Sequence, residues 1–453
     1  MKLNLKWGEL ARAAGGRLTH GDASASIDSL TTDTRAMRPG QAFWALVGDR
    51  IDAHALLTEA LSEISTGWII ADGKLAPDAP RPAHVVEVPD TLKALQALAH
   101  FHRKRFDIPV TGIVGSNGKT TTKEMLKSVC AQVGPVCATP GNWNNEIGVP
   151  LSVLELLPEH RHAIFELAAC RKGEIAELAR VAQPTVALLT NIGPDHLESF
   201  ETIETTFQTN SEIMAVLPED GAAVINADDP WLTALETRLG SRAVTYGMGA
   251  NCKVRIEGKD GLIIDRHRLT VKLRAFGAFN RYNAAAAAAA AWAMGLAPDA
   301  IRAGLEAHSP GMLRQEPLPH ASGACLVLDA YNANPASMRA SIEAFCEEFK
   351  KREKTLVLGD MKELGPTSTS YHRELGEWLA TLDLKAVYLT GPEMKSAADA
   401  LSVSKPRFHV EYALDMKAWP SLIKEIKSTL TSRNAVLFKA SRAMRLEELA
   451  KAL

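Results

Sequence analysis

Short apolar runs punctuate this chain, and amphipathic stretches of helical period fill the gaps between them. The runs at residues 108–114, 162–167, 186–190 and 222–226 are mostly apolar and too short for helices. Runs of that kind predict strands buried on both faces of a parallel sheet. Residues 121–132 predict a helix directly after the first of them. The same rhythm returns at 325–329, 355–359, 386–390 and 435–438, which predicts a second, smaller open α/β unit. Residues 283–293 are nearly all alanine and predict a closely packed helix, alanine being the best helix former. Residues 1–107 differ: their segments are mixed, and Pro77, Pro80, Pro82 and Pro89 break the second half. The pattern divides the chain into 1–107, 108–308 and 309–453, the last junction falling near Ser309-Pro-Gly311. The expected class is α/β, with a central doubly wound sheet.

Composition narrows the options mainly by exclusion. Over 453 residues the net charge is −2, so no global field favours nucleic acid or an anionic membrane. No apolar run approaches the length of a membrane span, and residues 1–10 lack the apolar core of a signal peptide, so a cytoplasmic protein is expected. The six cysteines are scattered without a Cys-x-x-Cys pair, which predicts free thiols in a reducing compartment and no zinc site.

The first apolar run ends in Gly115-Ser-Asn-Gly-Lys-Thr-Thr-Thr122. A glycine turn between strand and helix points backbone N–H groups at phosphates, and the helix N-terminus adds partial positive charge. Lys119 would neutralise phosphate charge and Thr120 would offer a hydroxyl to Mg²⁺. The strict G-x-x-x-x-G-K-[ST] spacing fails, because Ile113 stands where the first glycine belongs; Gly112, Gly115 and Gly118 recur at intervals of three instead. The order of strand, glycines, Lys-Thr and helix still predicts ATP binding.

Polar residues follow the other central runs, where doubly wound sheets build their sites. Glu166 ends one run, Asn191 follows another, and Asp195-His196 comes after a Gly-Pro turn. Glu166 and His196 are therefore candidate Mg²⁺ ligands. The blander alternatives are a carboxylate paired with Arg171 or Lys172, and a hydrogen-bonded loop histidine. Residues 181–237 hold ten Asp and Glu and no Lys or Arg, a span that suits metal but reads mostly as solvated acidic surface. Residues 139–150 form a loop dense in amides, able to bind a ligand or simply to turn. The segment Asp329-Ala-Tyr-Asn-Ala-Asn-Pro-Ala-Ser-Met338 reads equally as a capped turn or a binding loop.

In this order the segments resemble the Mur ligase family of peptidoglycan synthesis, over nearly the whole chain. Besides the phosphate loop, residues 139–148, Tyr331-Asn-Ala-Asn-Pro-Ala-Ser-Met338, Leu358-Gly-Asp-Met-Lys-Glu-Leu-Gly365 and Tyr371-His-Arg-Glu374 are similar to its dipeptide-adding branch. The Asp-Asn-Pro-Arg of the branch adding a third amino acid does not occur. The resemblance implies three domains: a UDP-sugar-binding domain, a central P-loop ATPase-type parallel sheet with helices, and a C-terminal Rossmann-like domain. It implies ATP, Mg²⁺, UDP-N-acetylmuramoyl tripeptide and D-alanyl-D-alanine, with a monomer as the expectation. Gly115, Ser116, Asn117, Gly118, Lys119, Thr120 and Thr121 would cradle the nucleotide. Asn280 would lie on the adenine side, and Arg314 and Asp329 where the last domain closes. Thr34 and Arg35 would bind the uridine diphosphate. Asn142, Asn145, Asn332 and Asn334 are the further substrate-binding candidates. Lys119, Glu166 and His196 would be catalytic, and Thr120, Glu166 and His196 would hold metal.

The chain also departs from the family. Many members carry a carbamylated lysine where ungapped alignment puts Asn210, and an asparagine can be neither carbamylated nor charged. Phe279 stands where histidine is common, and Ala53 and Ala440 replace glycines. The expectation is an amide ligase that works without a carbamate. The rivals are a nucleotide-binding homologue with reduced or lost catalysis, and an amide ligase for another amino substrate, such as a folylpolyglutamate-type enzyme.

Overall fold

The computed structural model describes residues 3–48, 51–194, 200 and 202–453. Among them, three α/β layers follow one another along the chain, built on sheets of five, nine and six strands, with a two-stranded pair near the start. The first sheet runs, edge to edge, Arg17–His20, Val85–Val88, Gly67–Ala71, Ala42–Trp44 and Leu30–Thr31. Only Arg17–His20 is antiparallel to its neighbour. Trp7, Trp44 and Trp68 are fully buried in this layer, and Trp44 donates its indole N–H to the Thr91 carbonyl at 2.8 Å.

The central sheet places Val110–Val114 between His162–Glu166 and Val186–Leu189, all parallel. Beyond them lie Val136–Ala138 at one edge and, on the other side, Ala222–Asn226, Ala243–Gly247 and Val254–Glu257, also parallel. The strands expected from apolar runs form within two residues of their predicted limits. The register matters for the site. Glu166 is level with Ile113, and Leu189 is level with Val114, so three carboxyl ends open onto one edge of the sheet. The phosphate loop leaves from the middle one.

The helix Ala278–Ala293 contains the alanine run, and residues 284–291 are all buried. It packs against the helix Lys119–Cys130 and the strand Ala243–Gly247. Methyl side chains let helix and sheet backbones approach, so the run is a core device. Sequence patterning missed the antiparallel extension Val254–Glu257, Gly261–Ile264 and His267–Thr270. Its turns follow closely on one another, and the last strand is mostly exposed at the sheet edge, so its residues carry little apolar signal.

In the last sheet the strand Asn434–Lys439 inserts between Cys325–Asp329 and Glu353–Gly359. Lys439 thereby sits level with Asp329. Ala386–Thr390 and His409–Ala413 continue the sheet in parallel, and Glu316–Leu318 closes the other edge antiparallel. Burial pushes the Cys130 and Cys137 thiols up to about 12, which keeps them neutral, whereas Cys170 is exposed. Among the described residues no helix is long and apolar enough to cross a membrane.

Candidate functional site

The phosphate loop is held in place by contacts with its own chain. Gly118 has φ +83°, and a Cβ there would lie 2.3 Å from Asn283 Oδ1. Gly115 has φ +128°, and a Cβ there would meet Thr190 Oγ1 at 2.2 Å. Only glycine fits both places. Around them, the loop's amides are pinned by the neighbouring strand end. Ser116 N–H donates to the Asn191 carbonyl at 2.9 Å, and Asn117 N–H donates to Asn191 Oδ1 at 3.0 Å. Asn191 Nδ2 returns a bond to the Asn117 carbonyl at 2.9 Å, and Ser116 Oγ donates to the Gly193 carbonyl at 3.0 Å. Lys119 Nζ donates to the carbonyls of Gly115 at 2.5 Å and Ser116 at 3.3 Å. The helix Lys119–Cys130 begins at Gly118 with no side-chain cap.

Glu166 projects from the adjacent strand end and is 2% exposed. Its Oε1 accepts from Thr120 Oγ1 at 3.1 Å and from Asn144 Nδ2 at 2.8 Å. Its Oε2 is buried without a hydrogen-bond partner. A buried carboxylate oxygen in that state is expensive unless something positive meets it. Carboxylate and hydroxyl oxygens are the hard donors that Mg²⁺ takes, so Thr120 and Glu166 fit the metal role. The blander pairing does not form: Arg171 bonds Glu177 at 3.2 Å and Lys172 bonds Gln208 at 3.2 Å. His196, with Asp195, lies outside the described residues.

The amide-rich loop is anchored from beneath. Lys123, fully buried on the phosphate-loop helix, donates to the carbonyls of Thr139 at 2.7 Å and Gly141 at 2.9 Å and pairs with Glu124 at 2.9 Å. Thr139 Oγ1 in turn accepts the Glu166 N–H at 3.0 Å. Of the expected loop residues, Asn145 spends its Oδ1 on the N–H groups of Ile147 and Gly148, opening the helix Gly148–Val153. Asn142 is exposed, beside Trp143, which is 44% exposed. Thr121 is half-buried in the first helical turn. The residue of this loop that bonds the Glu166 carboxylate is Asn144, which sequence reasoning did not single out.

The last layer reaches the same place. Arg314 Nη2 donates to Thr120 Oγ1 at 3.0 Å, and its guanidinium lies 4.0 Å from the centre of the Tyr331 ring. Leu313 and Gln315 on either side of it have φ +61° and +52°. Left-handed backbone at such residues costs about 1–2 kcal/mol each. Asn334 Nδ2 donates to Asn117 Oδ1 at 3.0 Å. Asn332 turns its Oδ1 onto the next backbone N–H, that of Ala333, at 2.9 Å. Asp329 pairs with Lys439 at 3.0 Å and accepts from Ser341 Oγ at 2.6 Å, inside its own layer. Asn280 is 3% exposed, and its Nδ2 is shared between the Phe276 carbonyl and Gln315 Oε1, both at 2.9 Å. Its Oδ1 accepts from Asn283 at 3.1 Å, so it belongs to an amide chain running from residue 315 to the phosphate-loop helix. Thr34 and Arg35 lie in a turn of the first layer, where the Arg35 guanidinium pairs with Asp33 at 2.8 Å and its side chain is 88% exposed.

A small cavity beside the loop is lined by Gly115, Lys119, Leu167, Ala168, Ala169, Phe200 and Asn210. It offers an ammonium and a backbone cradle to an anion, next to an uncompensated carboxylate oxygen. Such an arrangement suits metal-assisted handling of a polyphosphate. Asn191, a strand-end residue in the sequence, meets the loop as its position suggested, whereas Asn144, Lys123 and Gln315 joined the site only through tertiary contacts.

Comparisons with known proteins agree with that chemistry. Residues 113–291 match the Mur ligase middle domain, and residues 314–442 match the Mur ligase, glutamate ligase domain. The UDP-N-acetylmuramoyl-tripeptide–D-alanyl-D-alanine ligase of Bacillus subtilis (strain 168) is 33% identical over 434 residues, which is 94% of this chain and 93% of that protein. A crystal structure of MurF from Acinetobacter baumannii superposes with a TM-score of 0.90 at 30% identity, covering 99% of this chain and 98% of that one. The MurF ligase of Thermotoga maritima in complex with ADP gives a TM-score of 0.82 at 30% identity, covering 94% and 96%.

Proposed function

The chain belongs to the Mur ligase family, and from that premise we propose that it joins D-alanyl-D-alanine to UDP-N-acetylmuramoyl-tripeptide, using ATP, in peptidoglycan precursor synthesis. The observation that carries this reading is the meeting of two layers over the phosphate loop, through Arg314 on Thr120 and Asn334 on Asn117. A nucleotide site that is closed by a second α/β layer can hold an acyl group and an amine together.

A carboxylate is a poor acyl donor at neutral pH. Transfer of the γ-phosphoryl group onto it gives an acyl phosphate and ADP. The free amine of the dipeptide then attacks the acyl carbon, the C–O bond to phosphate breaks, and inorganic phosphate leaves. Phosphoryl transfer needs mainly positioning and charge neutralisation. The loop amides and Lys119 supply both. Thr120 and Glu166 would hold Mg²⁺, which would supply charge neutralisation to the phosphates when bound. Asn144 orients Glu166, and the closure by Arg314 and Asn334 keeps water from the activated acyl group.

In this reading residues 1–107 bind the UDP-sugar through Thr34 and Arg35. Residues 108–308 form the ATP domain, and 309–453 present Asn332 and Asn334 to the dipeptide, in the cytoplasm. The third residue of the tripeptide is diaminopimelate or lysine, and an assay with both tripeptides separates these. Turnover proceeds without a carbamate, since the Asn210 amide is engaged with Gly115 and Thr206. Clear bicarbonate dependence of the wild type would sink that part.

A phosphate-release assay tests the whole. Release that requires both UDP-muramoyl tripeptide and D-alanyl-D-alanine is expected. Nucleotide binding without turnover would instead mark a homologue that has lost its chemistry.

A further inference from the structure

We infer that Asn210 is a positioning residue of the phosphate loop, its side-chain carbonyl fixing the Gly115 peptide on which Lys119 closes. The inference rests on the reading of this loop as the nucleotide site. Asn210 lies near the end of the helix Ile203–Ser211, far along the chain from the loop. It is buried, at 8% exposure, and borders the same cavity as Gly115 and Lys119. Its amide divides its two functions. Nδ2 donates to the Thr206 carbonyl at 2.8 Å, one turn back on its own helix, and Oδ1 accepts the Gly115 N–H at 2.7 Å. The first bond orients the second, because a flipped amide would set donor against donor and acceptor against acceptor.

Gly115 is therefore gripped at both ends. Asn210 takes its N–H, and Lys119 Nζ donates to its carbonyl. Asn191 and Gly193 pin Ser116 and Asn117, but they come from the neighbouring strand end. Among the described residues Asn210 is what grips the Gly115 N–H, and it comes from a separate helix. A carboxamide suits the place in a way other side chains do not. Leucine offers no acceptor to Gly115. Aspartate offers one, but cannot donate to Thr206 and brings negative charge beside a phosphate cradle. Lysine donates only, and would face the Gly115 N–H with another donor.

Hydrogen exchange of the Gly115 amide in the full-length protein, paired with calorimetric binding of a non-hydrolysable ATP analogue with Mg²⁺, tests this. Asn210→Ala should lose protection at Gly115 and bind the analogue roughly tenfold more weakly, the effect of leaving a buried N–H without its acceptor. Its KM for ATP should rise while its KM for D-alanyl-D-alanine stays put, a split that general loosening of the fold would not produce. Asn210→Asp, which keeps an acceptor, should keep Gly115 protected. If the alanine variant does not fold, Asn210→Leu preserves bulk without an acceptor and should show the same unprotected Gly115. Wild-type protection and affinity in the variant lacking an acceptor would overturn the inference. A wild type that fails to bind the analogue would instead count against the nucleotide reading, while the exchange arm would still report on the Asn210–Gly115 contact.

Discussion

The helix Lys119–Cys130 begins at Gly118 with no side-chain cap, whereas the helix Pro335–Glu348, whose Asn334 reaches the same loop at Asn117, begins under a complete cap. Both follow a strand of a parallel sheet, and both bring an asparagine to their meeting point. In the second, Asn334 Oδ1 accepts the Ser337 N–H at 2.8 Å, and Ser337 Oγ accepts the Asn334 N–H at 3.0 Å. Pro335 fills the first helical position, where a missing N–H costs nothing. The two turns spend their helix ends differently. An uncapped N-terminus leaves backbone donors and partial positive charge for an anion. A capped one has already met that need with its own side chains, so what it offers a ligand is side-chain reach. On the proposed function, main chain would bind the nucleotide at one turn and side chains would arrange the closure at the other.

That contrast predicts effects of different size. Lys119→Ala removes an ammonium that closes on the open turn, and phosphate release should fall by roughly 10³-fold, the scale seen when a transition-state cation is lost in phosphoryl transfer. A loss of less than tenfold would mean that the open turn is not the nucleotide site. Gly118→Ala should come next. It forces a Cβ to within 2.3 Å of Asn283 Oδ1 at φ +83°, strain of about 1–2 kcal/mol before the contact is relieved. Affinity for a non-hydrolysable ATP analogue should drop roughly tenfold, as that strain implies. Unchanged affinity would show that the amide chain through Asn283 yields without moving the loop.

The same contrast explains what could be read before folding. Gly115, Gly118, Lys119 and Thr120 act through local backbone and composition, which a linear pattern records. Glu166 was legible because a strand end predicts where a side chain emerges. Asn191 was legible in the same way, as a polar residue after a strand, but Asn144 and Gln315 were not, since amides are equally ordinary turn residues and only tertiary register decides which one meets a carboxylate or another amide. Lys123 was hidden for a different reason. A lysine in the first turns of a helix reads as solvated, yet here it is fully buried under loop carbonyls. Asp329 errs the other way, looking like a ligand-facing acid although Lys439, brought level by a strand from the end of the chain, pairs with it inside the layer.

The capped turn should give the smallest effects, and they can be separated. Asn334→Ala loses both the cap and the bond to Asn117, whereas Asn334→Asp keeps an acceptor for Ser337 N–H and loses only the donor. Losing a cap costs about 1 kcal/mol, so the alanine variant should melt lower and the aspartate variant close to the wild type. If the bond to Asn117 arranges closure, both variants should slow phosphate release by a similar factor, well short of the Lys119→Ala loss. If only the alanine variant slows, the cap alone sustains activity and the Asn117 contact is incidental. A slowing as large as that of Lys119→Ala, in either variant, would erase the distinction between the two turns, because it would place the closing layer among the groups that carry the transferring charge.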